Sequence, residues 1–104
     1  MNSISQIAES VRQATDIQIN KKLLRESVKT NLHFTYNGGM FLAGPELLSF
    51  VATWPEEELF LVDVYENPVK VARTEFYELA RQHYQVQMNA WHQQYQEIIR
   101  VRKV

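Results

Sequence analysis

The chain has 104 residues, 45% of them hydrophobic, and its 11 Lys and Arg against 12 Asp and Glu give a net charge of −1. That length is typical of one domain, and the balanced charge argues against a protein whose main partner is nucleic acid, because phosphate binding requires clustered, uncompensated cations. Cysteine is absent, which excludes disulfides, iron–sulfur clusters and thiol catalysis.

The first predicted element is an N-terminal helical arm over residues 1–20. Ser3 and Gln6 have the spacing of a capping box, which starts a helix. Asp16 and Asn20 are good helix caps and poor helix interiors, so they predict a break in the helix near the end of the arm. Apolar residues recur at helical spacing on one face of the arm, namely Ile4, Ile7, Val11 and Ala14.

A second helical segment is predicted from about residue 21 to residue 29, at the start of a middle region that extends to residue 73. It carries four cations: Lys21, Lys22, Arg25 and Lys29. Two interpretations fit these cations, a binding patch and a solvated helix face. Charge runs are more often solvated, so we favour the second interpretation.

A hairpin is the strongest local prediction in the middle region. Asn37 and Gly38 tolerate the positive φ that a primed two-residue turn requires, and apolar strands flank them. With these two residues at the turn, Phe34 pairs with Phe41 across the ladder, and both rings can reach a core. A phosphate-binding loop is the other interpretation of the glycines, but the G-x-x-x-x-G-K pattern is missing.

A short helix and a second hairpin are predicted next. Pro45 suits a first helical turn, and Trp54 precedes a proline that moves it out of the helical region. Leu59–Tyr65 predicts a strand in which Phe60, Val62 and Val64 share one face, and residues 69–71 predict a returning strand. We therefore expect a small antiparallel sheet of two hairpins.

Asp63 is an acid within the predicted apolar strand, and two interpretations fit it. It is either a general base with a raised pKa or a side chain that caps amides of the following turn or faces water at a sheet edge. Turn capping by aspartate is common, so we favour the structural interpretation. A small hydrolase or nuclease that uses Asp63, Glu66 and His83 is kept as an alternative function.

Residues 74–103 contain no glycine or proline and predict one long C-terminal helix with an apolar stripe. Some 29 helical residues span about 43 Å, whereas a folded chain of this size has a radius of gyration of about 13 Å. We expect the helix to extend past its own sheet and to need a second surface over its stripe. Because aromatic and methionine side chains are enriched at interfaces, the predicted interaction residues are Tyr84, Met88, Trp91, Tyr95 and Ile98.

No catalytic, cofactor-binding or metal-binding residue is predicted. His83 and His92 are nine residues apart on one predicted helix, which places them on opposite faces, and His33 lies far from both in sequence. Metalloprotease and serine-hydrolase motifs are absent. We therefore expect a chain that needs no cofactor and no metal.

Three short segments carry a family resemblance: Asn37-Gly38-Gly39-Met40-Phe41, Asp63-x-Tyr65-x-Asn67-Pro68 and Met88-Asn89-Ala90-Trp91-His92. With these segments, the region from about Lys22 to Lys103 resembles small uncharacterised proteins of T4-like bacteriophages, especially those of marine cyanobacteria. The resemblance implies no catalytic residues. It implies a phage context, in which proteins of this size commonly serve as virion components, assembly factors or modifiers of host machinery.

The expected fold is a single α+β domain with a small antiparallel sheet of two hairpins, a short helix, an N-terminal helical arm and a long C-terminal helix. The expected function is a non-enzymatic protein–protein interaction module, a structural or assembly component of a phage virion that self-associates or binds other phage or host proteins. The alternative is a small phage regulator that binds a host enzyme or nucleic-acid machine. With no signal peptide and no apolar run of about 18 residues, we expect no membrane partner and a location in the host cytoplasm or the virion.

Overall fold

A computed structural model describes residues 4–102, which form three helices and two β-hairpins. This arrangement confirms the expected α+β class. Ser3 of the predicted capping box and Lys103 at the predicted end of the last helix lie outside the described residues. In chain order the elements are α1 (Ile4–Asn31), β1 (His33–Tyr36), β2 (Gly39–Leu42), α2 (Pro45–Thr53), β3 (Glu58–Val62), β4 (Pro68–Ala72) and α3 (Arg73–Arg102).

The first helix is continuous, so the predicted break near the end of the arm is wrong. Asp16 and Asn20 both lie inside α1, and the second predicted helical segment is the C-terminal part of the same helix. Asn20 lines a groove against α3 beside Ile17 and Ile98. Tertiary contact therefore supports the helix at a place where intrinsic propensity is low.

The first hairpin has the predicted turn and register. Asn37 and Gly38 have positive φ values of 47° and 79°, and Phe34 lies opposite Phe41 in the antiparallel ladder. Phe41 is buried and Phe34 packs against the core beside it. The turn residues alone were enough to place this hairpin, because few residue pairs tolerate that backbone conformation.

The two hairpins form two two-stranded antiparallel sheets rather than one continuous sheet. They are connected where the Val64 N–H donates to the Met40 carbonyl (2.9 Å). The Asn37 side chain adds a further connection, since its Nδ2 donates to the Lys70 carbonyl (3.1 Å). We call the two hairpins, α2 and residues 73–80 of α3 the head.

The hydrophobic core lies in the head and is centred on α3. Phe76 is fully buried, and its ring contacts those of Phe34, Tyr36 and Phe41 at centroid distances of 5.5, 5.2 and 5.0 Å. Val51 is the fully buried residue that α2 contributes. Phe76 was not predicted to be a core residue from the sequence, although the other core rings are arranged around it.

The first and third helices pack side by side, and we call α1 together with residues 81–102 the stalk. His83 Nε2 donates to the carbonyl of Asn31 (2.6 Å), and the Lys21 ammonium lies 5.5 Å from the centre of the Tyr95 ring. These two contacts show that the helices are antiparallel. The molecule measures 67 × 23 × 19 Å, so the predicted extension of the last helix past the sheets is confirmed.

Candidate interaction surface

Asp63 caps the turn after β3 and also connects the two hairpins. It is only 6% exposed; its Oδ1 accepts from the N–H groups of Tyr65 (3.0 Å) and Asn67 (2.8 Å), and its Oδ2 from that of Met40 (3.0 Å). These hydrogen bonds lower the pKa of Asp63, and the bond from the Asn67 N–H has the largest effect. Burial acts in the opposite direction, but the hydrogen bonds outweigh it. The turn-capping interpretation is confirmed, and the pKa shift is opposite to the one that a general base requires. Glu66 is an exposed turn residue beside it.

The three histidines have separate environments. His33 Nδ1 donates to the carbonyl of Thr30 (3.1 Å), His83 binds the last carbonyl of α1, and His92 lies on an exposed side of α3. Within residues 4–102, no three His, Asp or Glu side chains come together as candidate metal ligands. None of the described helices is both long and apolar enough to cross a membrane.

The five predicted interaction residues lie on α3 within the stalk: Tyr84, Met88, Trp91, Tyr95 and Ile98. Tyr95 is 38% exposed, and the other four are half-buried. Trp91 and Tyr95 line a groove with Leu24 of α1, and Ile98 lines a second groove with Ile17. Part of the second surface that the stripe needs is therefore the chain's own first helix.

Burial ends where the head meets the stalk. Phe76 and Ala80 are buried on α3, whereas none of the described residues from 81 to 100 is. Among the described residues of α1, Val28 alone is buried. Two packed helices touch along one line, so their apolar side chains keep one side open to solvent unless a further helix covers them. The apolar side chains between the two helices of the stalk are therefore covered on one side only.

Two grooves follow the contact between α1 and α3, and their charges differ. The first, which we call the basic groove, is lined mainly by Lys21, Lys22, Leu24, Arg25, Trp91 and Tyr95. The second is lined by Ile17, Asn20, Leu24, Gln94, Glu97 and Ile98. Three cations and no carboxylate line the first groove, whereas one carboxylate and no cation line the second. Sequence reasoning missed this difference, because it depends on which side of α1 meets α3.

The floor of the basic groove continues as an apolar surface on α3. A shallow depression beside it is lined by Met88, Trp91, His92 and Tyr95. Trp91 and Tyr95 belong to both concavities. The predicted stripe therefore divides into a part that faces α1 and a part that remains open, and the open part adjoins the cations.

The first helix also has exposed apolar side chains away from the side that lines the grooves. The arm residues predicted to share one face are exposed, and Ile19 and Leu23 are exposed about a third of a turn away from them. Neither group lies on the side of Leu24, which lines both grooves. The large apolar residues exposed on α1 are Ile4, Ile7, Val11, Ile19 and Leu23.

The outer face of β3 is apolar as well. Phe60 and Val62 are 71% and 68% exposed, whereas Leu59 and Leu61 face the core. The alternation in the sequence correctly placed Phe60 and Val62 on one face, but the predicted strand to Tyr65 is too long, because β3 ends at Val62 and Val64 lies in the following turn. The alternation did not show that this face is the one turned to solvent, since both faces of the strand are apolar.

No protein-family model, no curated protein and no solved structure matches this chain. The phage context therefore rests on three short segments of the sequence alone and stays a proposal. The function proposed below is supported by the geometry of the stalk.

Proposed function

We propose that the chain is a non-enzymatic protein–protein interaction module and that the stalk is its binding element. The observation that carries this proposal is the absence of buried residues along the stripe from residue 84 to residue 98, about 21 Å of helix. Hydrophobic stabilisation grows with the apolar area removed from water. A partner that covers the stripe removes this apolar area from water, and this burial stabilises the complex relative to the free chain.

In the phage context, the module is a structural or assembly component of the virion that acts by self-association or by binding other phage or host proteins. It works in the host cytoplasm or in the virion. The alternative is a small regulator that binds a host enzyme or nucleic-acid machine. The basic groove favours a partner with an acidic surface, and such a surface suits either role.

The double variant Trp91→Ala, Tyr95→Ala tests the interaction role. It removes the two rings shared by the basic groove and the adjoining apolar surface. We expect the variant to keep a helical circular-dichroism spectrum while losing self-association in sedimentation or losing partner capture in pull-down from infected cells. Val86→Ala is the matched control, because Val86 is 60% exposed on another side of α3, and it is expected to behave as the wild type.

One pair of results would contradict the proposal. A wild-type chain that is strictly monomeric and captures no partner, together with a double variant that unfolds, would show that the stripe is ordinary core. Truncation of a core aromatic residue costs about 3–5 kcal/mol, which is enough to unfold a chain of this size. Tyr95→Ala alone, at the more exposed ring, keeps the test decisive if the double variant unfolds.

A further inference from the structure

The cations of the basic groove share one side of α1 and have no acidic partner. Lys21, Lys22 and Arg25 line the groove, and Lys29 follows Arg25 by one turn on the same side of the helix. Within residues 4–102, none of the four forms an ion pair. The contact that Lys21 does make is with the Tyr95 ring. Glu26 lies one helical turn from Lys22 and Lys29, but among the described residues it forms an ion pair with neither.

The opposite wall of the groove supplies no compensating charge. Residues 82–96 of α3 contain no Asp, Glu, Lys or Arg, and their polar side chains are those of Gln, Asn, His and Tyr. Glu97 lines the second groove, and Glu26 of α1 does not line the basic groove. A chain with a net charge of −1 thus has a local positive potential along one side of its stalk.

The floor of the groove is apolar and lies between two antiparallel helices. Leu24, Trp91 and Tyr95 form this floor, and Met88 extends it on α3. An amphipathic helix that lies in such a groove contacts both helices at once, which is a common mode of peptide recognition. Its apolar face would cover the side chains that the isolated stalk leaves half-buried.

We propose that the basic groove binds an acidic amphipathic helix of a partner protein, which completes a three-helix bundle with α1 and α3. This inference rests on the proposed interaction role and names the chemistry of the partner. The apolar face of the helix contacts Leu24, Trp91 and Tyr95. Carboxylates along its edge lie against the cations Lys21, Lys22 and Arg25.

Single-stranded nucleic acid is the other class of anionic partner, and the groove suits it less well. Bases stack on aromatic rings whose faces are open. The Lys21 ammonium lies over the Tyr95 ring, 5.5 Å from its centre, and Trp91 is half-buried. A helix needs only the exposed edges of these two side chains, so the structure favours the acidic helix.

Two synthetic peptides of about 20 residues, a length that supports a helix, are the probes. Their apolar faces are identical, and their polar faces carry either Glu or Lys. Titration of the fluorescent peptides with the full chain is expected to show the Glu peptide binding at least about tenfold more tightly. Added salt is expected to reduce this preference, since it screens exposed charges.

The variant Lys21→Gln, Arg25→Gln is expected to lose most of the preference for the Glu peptide. Its matched control is Asn20→Asp, Gln94→Glu, which changes the net charge by the same amount but in the second groove. The control is expected to retain the preference. Circular dichroism verifies that both variants keep their helices.

Four outcomes would overturn the inference. If the two peptides bind equally, the charge argument fails, and the interaction role is then tested by the Trp91 and Tyr95 variants alone. If neither peptide binds, the groove is not a binding site for a helix. Tighter binding of oligothymidylate of about 20 nucleotides, longer than a single-domain binding site, would make the groove a nucleic-acid site. A dimer that dissociates in the Lys21→Gln, Arg25→Gln variant would make the occupant a second copy of the chain.

Discussion

At the scale of single residues, Asp63 connects two hairpins that do not share a sheet. One carboxylate oxygen organises the turn after β3, and the other accepts the Met40 N–H from the first hairpin. Three N–H donors favour the ionised form, which is why the pKa of Asp63 is lowered. The junction between the hairpins therefore depends on a charged side chain.

Replacement of this carboxylate tests the junction. Asp63→Asn places an amide N–H against at least one backbone N–H donor, so we expect the melting temperature at pH 7 to fall by at least about 5 °C. Glu66→Gln removes a charge from the same turn at an exposed side chain, and its melt is expected to be nearly unchanged. Equal melting temperatures for Asp63→Asn and the wild type would contradict the junction role.

The same side chain predicts how stability depends on pH. A carboxylate whose pKa is lowered by folding stabilises the protein fully above its unfolded pKa of about 4, and this contribution is lost as the pH falls through the folded-state value. Chemical unfolding of the wild type is therefore expected to show decreasing stability below about pH 4. Asp63→Asn lacks this titrating group, so its stability is expected to decrease less over the same range.

At the scale of elements, α1 shows how a correct helical signal can lead to a wrong boundary. The apolar residues Ile4 and Val11 lie on one side of the helix, whereas Ile17 and Leu24 lie on another side, about a third of a turn away. The apolar pattern changes sides near Asp16. In the sequence this change has the same appearance as the end of a helix.

The start of α3 is stabilised by Glu57, which belongs to a run of three carboxylates that the sequence alone indicates to be a solvated turn. Glu57 accepts hydrogen bonds from the backbone N–H (3.0 Å) and the hydroxyl (2.9 Å) of Thr74, and it pairs with Arg73 (3.5 Å). The bond from the Thr74 backbone is the main cause of the lowered pKa of Glu57. Because these partners are far from Glu57 in sequence, local pattern contained no signal for them.

The turn of the first hairpin allows a direct test of an element. Gly38 has φ of 79° and open space around it, so Gly38→Val is disfavoured by its backbone conformation rather than by a clash. We expect a loss of at least about 1 kcal/mol in the free energy of unfolding. Gly44→Ala is the control, since Gly44 is extended (φ −158°) and has no atom within 4 Å of an added Cβ.

The control variant is expected to lose clearly less stability than Gly38→Val, and chemical unfolding measures both. An unchanged free energy of unfolding in Gly38→Val would contradict the assignment of a primed turn to Asn37 and Gly38. The comparison separates the effect of positive φ from that of adding a side chain to a glycine, because neither position is crowded.

At the scale of the whole molecule, the chain is a small head with a long two-helix stalk. Its radius of gyration is 19.8 Å, compared with about 13 Å for a compact chain of this length. The head contains nearly all of the buried residues, and the stalk contains the half-buried stripe. The shape thus separates the part that stabilises the fold from the part that we propose binds a partner.

Small-angle scattering of the monomer is expected to give a radius of gyration near 19.8 Å. Leu24→Lys places a charge in the contact between α1 and α3, where Leu24 lines both grooves, so α1 is expected to detach and the radius to increase. Leu23→Lys is the control, because the neighbouring Leu23 is 57% exposed. A wild-type radius of gyration near the value of about 13 Å for a compact chain would contradict the two-helix stalk. An equal change of the radius in the two variants would contradict the contact between α1 and α3 at Leu24.

Features whose causes lie within a few residues could be predicted from the sequence. Asn37 and Gly38 specified a turn because few residues tolerate positive φ, and α3 followed from a long segment without helix breakers. Asp63 was expected to have a structural role, either as the cap of the turn that it precedes or at a solvated sheet edge. Tertiary structure alone decided which apolar face is covered. The choice of Phe76 as the core residue, the exposure of Phe60 and the side of α1 that meets α3 all depend on contacts between distant segments. Each element has more apolar surface than the small head can bury, so the local pattern allows several packings and only long-range contacts select one.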